Sequence, residues 1–242
     1  MFLQSLISQR INNNAPVKVA LIGAGKFGSM FLSQVPTTPG LEVVIIADLI
    51  PDNAKKACKN VGWSEDLISN TKFVDSGIKA ITKSEVEVVV EATGHPSAGI
   101  LHAQTAFQNG KHIVMVNVEA DVLAGASLVK EAKSAGVVYS MAYGDQPALT
   151  AEIVDWARSN GFYVTAAGKG TKYLPEYHKS TPETVWNYYG LTEKEANEAG
   201  MNPKMFNSFL DGTKSSLEMA AIANACNLKV PSNGLLFPPC GM

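Results

Sequence analysis

Apolar residues in this chain follow two rhythms that alternate. Short unbroken runs occur in "VKVALIG", "LEVVIIAD", "VEVVVEATG", "KHIVMVNVEA" and "VVYSMAYGD". Each is strand-sized and bounded by Gly, Asn or Asp, as expected of strands buried on both faces. Between them lie segments with helical spacing. One begins at Gly28, "HPSAGILHAQTAFQNG" closes at Gly110, and "GASLVKEAKSAG" follows the fifth-strand segment. Strands alternating with helices predict an α/β fold with a doubly wound, Rossmann-type parallel sheet. Ahead of it, Phe2, Leu3, Leu6 and Ile7 predict a short amphipathic helix, and "NNNAP" a linker. The predicted divisions are an N-terminal helix and linker over 1–15, a Rossmann domain over 16–147, and a second α/β substrate domain over 148–242.

In the second domain, "ALTAEIVDWARSNG" predicts a helix with Leu149, Ile153 and Trp156 on one face and Gly161 closing it. "FYVTAAGKG" predicts a strand running into a loop. "STPE" predicts a helix start with Thr181 as N-cap and Pro182 at the first position. Trp186, Tyr188 and Tyr189 read as core or lid packing. "TEKEANEAG" reads as a solvated helix ending at Gly200. "MFNSFLDGTKSSLEMAAIANAC" predicts a helix with Asp211, Lys214 and Glu218 on one face.

The first strand runs into Gly23, Gly25 and Gly28, a GxGxxG turn followed by a helix. The first glycine permits the tight turn, the second lets the backbone approach a pyrophosphate, and the third lets helix and strand pack closely. Lys26 and Phe27 lie inside the turn. Asp48 closes the second strand twenty positions after Gly28, where an acid would bond the adenosine ribose. The expected cofactor is therefore NAD or NADP. Asp48 favours NAD by repelling a 2′-phosphate, while Lys55 and Lys56 nearby leave NADP open. Ligands in such sheets sit at the carboxyl ends of the strands. That places Ala92, Thr93 and Gly94, then Asn117, Val118 and Glu119, then Gly144, Asp145 and Gln146 on one rim beside the nicotinamide. His95 reads either as a catalytic acid or as a helix-start residue bonded to backbone. His102 and His112 read as structural.

Composition narrows the class. With 242 residues, 46% of them hydrophobic, the chain can bury a large core, and its net charge of -2 with scattered lysines argues against nucleic acid. Cys58, Cys226 and Cys240 are far apart and form no metal or disulfide pattern, which suits a reducing cytoplasm. No window approaches membrane-spanning length, and the N-terminal apolar run is too short for a signal peptide.

"AAGKGTKYLPEYHKS" gathers Gly168, Lys169, Gly170, Lys172 and His178. It reads either as an anion cradle or as a solvated loop. Since the glycine turn already provides for the cofactor's pyrophosphate, an anion held here would be the substrate's. Asp211 and Lys214 are either a surface ion pair or a proton-handling pair. Asn207 and Ser208 stand just before them as hydroxyl ligands.

"EATGHPSAG" and "HAQTAFQNGKHIVMVN" resemble the homoserine dehydrogenase superfamily. "VNVEADVLAG", "AYGDQPAL", "GFYVTAAGKGTKYLP" and "MFNSFLDGTKSSLEMAAIAN" resemble the homoserine-dehydrogenase-like proteins that include 1-deoxy-D-xylulose 5-phosphate reductoisomerase-like enzymes. The resemblance extends over nearly the whole chain from Val17. "DGTK", Asp211 to Lys214, resembles the aspartate-to-lysine element of the homoserine dehydrogenase active site. Asn117 is followed by Val118 and Glu119, where homoserine dehydrogenases carry a lysine, and the glutamate–lysine–proline motif of sugar-oxidising relatives is absent.

The resemblance implies an NAD(P)-dependent oxidoreductase with Lys214, Asp211, Lys169 and Lys172 at the reacting centre. Its favoured substrate is a sugar phosphate, reduced in reductoisomerase fashion. A homoserine or semialdehyde dehydrogenase is the alternative within that class, and a non-catalytic dinucleotide sensor the alternative outside it. Reductoisomerase chemistry further implies magnesium or manganese, for which Glu119, Asp145 and Glu218 are the candidate ligands. The expected partners are a small anionic substrate and a second copy of the chain in a homodimer. The relatives continue past "GLLFPPCGM", so the second domain reads as shorter or truncated.

Overall fold

A computed structural model describes residues 3–234, 236 and 238. Cys240 and Phe2 lie outside the described residues. The chain divides into two compact units between Tyr143 and Gly144.

In the N-terminal unit, six parallel strands form one sheet in the order β3-β2-β1-β4-β5-β6. They are β1 (Val17–Ile22), β2 (Leu41–Ala47), β3 (Lys72–Val74), β4 (Val88–Glu91), β5 (His112–Met115) and β6 (Tyr139–Met141). The helices between them are α2 (Lys26–Gln34), α3 (Pro51–Asn60), α4 (Glu65–Asn70), α5 (Gly77–Ile81), α6 (Pro96–Gln108) and α7 (Val118–Ser134). The expected Rossmann-type α/β architecture is therefore what forms.

The unbroken apolar runs have a direct cause. Alternate residues of a strand point to opposite faces, and helices cover both faces here. Val19 and Leu21 pack with Leu32, Ala54, Cys58 and Trp63, while Ala20 and Ile22 pack with Ile81, Ala103, Phe107 and Leu128. Each large aliphatic side chain buried this way contributes about 1.5–3 kcal/mol. The Trp63 indole N–H donates to the Leu32 carbonyl at 2.8 Å, so its polar end is satisfied.

Helix α1 (Leu3–Asn12) forms as expected, though none of its described residues is buried. Arg10 Nη2 pairs with Glu87 Oε2 at 2.7 Å, and Glu87 also accepts from the Lys18 N–H at 3.0 Å. Partial burial alone would raise the Glu87 carboxyl, but Arg10 and the Lys18 amide outweigh it together and hold it below the usual range.

The C-terminal unit contains α8 (Gln146–Ser159), α9 (Val185–Tyr189), α10 (Glu193–Glu198), α11 (Pro203–Leu210) and α12 (Thr213–Cys226). Among its described residues no strand is assigned, so the expected strand over "FYVTAAGKG" is extended chain without a ladder partner. Val164 and Ala167 from that stretch pack instead on Val154, Ile222 and Cys226. The face of Leu149, Ile153 and Trp156 is not the core face of α8. Ile153 and Trp156 are exposed, and Trp156 stacks on Phe162 with centroids 6.1 Å apart.

Helix α9 starts later than "STPE" suggests. Thr181 and Thr184 close a turn through the Thr181 N–H and the Thr184 hydroxyl at 2.9 Å, and Thr184 is the cap. Trp186 packs against Phe206 and Tyr189 in a small second core. Thr192 and Glu195 form a reciprocal capping box on α10. The single helix expected over 205–226 is two, because Gly212 adopts φ +88° between Leu210 and Thr213. That conformation breaks a right-handed helix and is open to glycine at little cost.

Candidate functional site

The glycine turn is built by contact as well as by conformation. Gly23 has φ +94°, and a Cβ there would lie 2.8 Å from the Ala92 carbonyl oxygen. A Cβ on Gly28 would lie 2.3 Å from the Gly23 carbonyl oxygen. Gly25 differs, since a Cβ there would meet nothing within 4 Å. Gly25 caps α2 without any side-chain hydrogen bond to the first turn. The helix therefore presents its first N–H groups, and the positive end of its dipole, beside an open glycine. These residues fit a dinucleotide pyrophosphate. Lys26 and Phe27 are exposed on the same first turn.

Asp48 braces this turn. Its Oδ2 accepts from the Ala24 N–H at 3.0 Å and its Oδ1 from the Ile50 N–H at 3.0 Å. Leu49 and Ile50, which follow, are exposed and apolar. Lys55 turns toward Asp52 at 3.5 Å and over the Phe73 ring.

The turn after β4 is organised from beneath. Glu91 is fully buried at the strand's end. Its Oε1 accepts from the Thr93 hydroxyl at 2.5 Å and lies 3.1 Å from His102 Nδ1. Thr93 Oγ1 in turn lies 3.3 Å from the His95 N–H and 3.4 Å from Asn117 Nδ2. Asn117 Nδ2 also donates to the His95 carbonyl at 3.0 Å, while its Oδ1 caps α7 through the Ala120 N–H. Thus Thr93 and Asn117, expected at the cofactor, have side chains committed to the turn itself. Gly94 is exposed, while the Ala92 N–H donates to the Ile22 carbonyl at 2.8 Å. His95 caps α6, its Nδ1 3.4 Å from the Ala98 N–H, which matches its helix-start reading. His112 likewise accepts from the Val138 N–H at 3.0 Å. Glu119 lies in the first turn of α7, because that helix starts at Val118, earlier than the sequence pattern suggests.

The C-terminal unit holds a cavity of about 320 Å³, lined by Asp145, Gln146, Lys169, Thr171, Phe209, Lys214, Ser215 and Glu218. Glu218 is buried at its base. Lys169 Nζ sits against Oε2, and Lys214 Nζ lies 3.5 Å from Oε1. Lys214 and Glu218 meet because they are four apart on α12. Lys169 arrives from the extended segment that replaces the expected strand. Asp145 caps α8 by accepting from the Gln146 N–H at 2.9 Å.

Several expectations are corrected here. Lys214 pairs with Glu218 and not with Asp211, since Asp211 belongs to the break at Gly212. Asp211 accepts from Asn207 Nδ2 at 2.9 Å and from the Thr213 N–H at 2.8 Å. Lys172 is exposed and does not line the cavity. His178 is absent from the lining too. Its Nδ1 lies 2.8 Å from the Asp211 carbonyl oxygen, and its ring meets Tyr173 edge-on. Gly168 and Gly170 flank Lys169 without lining the cavity, and a Cβ on Gly168 would press on Met219 at 3.3 Å. Asn207 is buried with its Nδ2 turned to Asp211, and Ser208 donates to the Met205 carbonyl at 2.6 Å within its own helix, so neither lines the cavity. Of the candidate metal ligands, Glu119 belongs to the N-terminal unit, while Asp145 and Glu218 line the cavity of the C-terminal one. Among the described residues no group of three or more His, Cys, Asp or Glu could hold a metal ion, and Glu218 is taken by two ammonium groups.

Sequence reasoning missed Thr171, Phe209 and Ser215 in the cavity, and Glu91 beneath the turn. The i,i+4 spacing of Lys214 and Glu218 was a usable signal. Nothing in the sequence marked Lys169 as the third member.

A parallel sheet in the order 3-2-1-4-5-6 with a glycine turn at the β1/β4 switch point defines a dinucleotide-binding protein. The profile of the oxidoreductase family with an NAD-binding Rossmann fold matches residues 17–143, and the chain belongs to that family. The catalytic-domain profile of oxidoreductase DRL matches residues 144–242. Among solved structures, the chain is similar to a homoserine dehydrogenase from Thiobacillus denitrificans, at 17% identity and a TM-score of 0.57, over 89% of this chain and 50% of that one. It is also similar to a DOX-P reductoisomerase in complex with magnesium, at 18% identity and 0.57, over 88% and 58%. Similarity to a myo-inositol dehydrogenase from Lactobacillus casei is 16% identity and 0.49, over 70% and 50%. At these identities the likeness is one of fold, and the chain spans about half the length of these proteins. No curated protein sequence matches significantly. Among the described residues no helix is long and apolar enough to cross a membrane.

Proposed function

We propose that the protein is an NAD(P)-dependent oxidoreductase that reduces a small, hydroxylated, anionic carbonyl substrate, with a sugar phosphate as the favoured case. The N-terminal unit holds the dinucleotide at Gly23–Gly28 and Asp48. The cavity around Glu218 holds the substrate. The observation that carries this reading is the buried Glu218 carboxylate flanked by Lys169 and Lys214 in a cavity of about 320 Å³.

Each ammonium has three N–H donors, and pairing with Glu218 leaves donors on both. A phosphate or carboxylate accepts such bonds strongly. Asp145, Gln146, Thr171 and Ser215 line the same cavity and suit hydroxyl groups. An anion at one end and hydroxyls along the rest is the chemistry of a sugar phosphate. The match of 144–242 to the DRL catalytic domain supports the assignment of this unit to catalysis.

When bound, the nicotinamide supplies hydride at its C4. The residues of this chain then have separable tasks. Lys169 orients the anion. Lys214 donates a hydrogen bond, and then a proton, to the carbonyl oxygen as that oxygen becomes a hydroxyl. Glu218 holds both ammonium groups in place. A substrate of this kind suits a cytoplasmic enzyme, as do the buried free thiols of Cys58 and Cys226. The test is NADH and NADPH oxidation against phosphorylated ketoses and semialdehydes. Turnover of a phosphorylated ketose supports the reading. Dinucleotide binding without turnover of any member would replace it with a sensor.

A further inference from the structure

Glu91 and His102 lie outside the cavity and do no work in the proposed reaction, yet the fold is arranged around them. Glu91 is fully buried and its Oε2 finds no hydrogen-bond partner. His102 is nearly as deeply buried. Two neighbouring helices carry glycine where this pair needs room. A Cβ on Gly77 would lie 2.3 Å from His102 Nε2, and one on Gly99 would lie 3.3 Å from Glu91 Oε2 and 2.8 Å from Asn117 Nδ2. A buried carboxylate is costly, and replacing the pair with apolar residues would serve packing as well or better.

We propose that Glu91 and His102 form a buried latch that positions the nicotinamide-side turn, Ala92 to His95, for the dinucleotide. The connections run one way. His102 and Thr93 both converge on Glu91 Oε1, Thr93 Oγ1 fixes the His95 N–H, and Asn117 fixes the His95 carbonyl. The Ala92 carbonyl oxygen lies 2.8 Å from the point a Cβ on Gly23 would occupy, so the latched turn packs directly against the glycine turn. The crevice opens between β1 and β4. Asp48, on the β2 side, faces the adenosine half, which leaves the β4 side to the nicotinamide half. Glu91, His102 and Thr93 are positioning residues, since the side chains of all three are turned into the latch.

This inference rests on the dinucleotide-binding reading, and the two are tested apart. NADH, NADPH and AMP are titrated by calorimetry into wild type, Thr93→Val, Thr93→Ser and Glu91→Gln. Thr93→Val keeps the volume and removes the hydroxyl. It should weaken the preferred dinucleotide about tenfold while AMP affinity stays within about twofold. Thr93→Ser should restore it, and Glu91→Gln should behave as Thr93→Val does. General destabilisation would not spare AMP and would not be reversed by serine. Dinucleotide affinity unchanged in Thr93→Val and Glu91→Gln overturns the latch and leaves the cofactor reading standing. Parallel loss of AMP and dinucleotide also overturns it. A wild type that binds neither dinucleotide overturns both.

Discussion

Alanine at Gly28 and alanine at Gly25 are predicted to fail in opposite ways. Gly28 is buried in α2, and its new Cβ would sit 2.3 Å from the Gly23 carbonyl oxygen. Ordinary contact begins near 3.4 Å, so the backbone must open by about 1 Å. Gly23 has little room to retreat, because the Ala92 carbonyl oxygen stands 2.8 Å from the point where a Cβ on Gly23 would sit. With little room to give, the overpacking cost belongs near the upper end of its range, about 3 kcal/mol. Alanine's helix propensity returns about 1 kcal/mol, leaving a net loss of about 2 kcal/mol. For a chain of this size that lowers the melting temperature by about 4–8 °C. At Gly25 the added methyl meets nothing, and φ is -69°, which alanine tolerates. Stability should change by less than about 1 kcal/mol, the scale of a weakened cap. The methyl would stand where a pyrophosphate approaches, so dinucleotide affinity should fall at least about tenfold. Urea denaturation and calorimetric titration of both variants decide the matter. A Gly28→Ala protein as stable as wild type would refute the packing argument. A Gly25→Ala protein with wild-type dinucleotide affinity would refute the cofactor placement.

The remaining expectations are narrower. Lys169→Met and Lys214→Met should each lower kcat/KM for the substrate by about ten- to a hundredfold, since a charge-assisted bond contributes about 1.5–3 kcal/mol; dinucleotide affinity should hold, and its loss in both variants would move these lysines to the cofactor. Lys172→Met, by contrast, should leave kcat/KM unchanged, because that side chain is exposed outside the cavity; a large loss would return it to the site. NAD should bind at least about tenfold more tightly than NADP, because Leu49 and Ile50 follow Asp48 and Lys55 is turned away to Asp52; calorimetry showing NADP to be the tighter ligand would assign Lys56 or another cation to the 2′-phosphate. Asp121 is buried beside the Tyr139 hydroxyl at 2.7 Å, and burial raises its pKa despite that bond. A raised folded-state pKa gives stability that is full below the unfolded value and lost as pH rises through the folded one. Asp121→Asn should therefore gain stability over wild type progressively from the ordinary carboxylate range toward neutral pH, read as urea midpoints. A constant offset at every pH would sink that account.

The sheet was legible because its code is local. Strands buried on both faces need unbroken apolar runs, and the glycine turn needs small residues where backbone meets backbone, as at Gly23 and Gly28. The solvated helix read in "TEKEANEAG" forms at Glu193–Glu198, and its Thr192–Glu195 capping box is local as well. The second unit was less so. "FYVTAAGKG" has strand composition, but a strand requires a partner ladder, and pairing is a non-local fact that no segment declares for itself. Asp211, Lys214 and Glu218 share a helical face only if the helix continues, and Gly212 stops it. Helical spacing survived where the helix did, between Lys214 and Glu218. The third member of that cluster, Lys169, lies 45 positions before Lys214 in the sequence and reaches Glu218 only because the intervening chain folds back. Glu91 shows the same limit in the Rossmann unit. Its neighbours in "EATG" signal a turn, whereas its burial depends on Gly77, Gly99 and His102 arriving from two other helices. The residues that pair polar side chains in the interior were thus the hardest to read, because each needs a partner whose distance in the chain is unrelated to its distance in the fold.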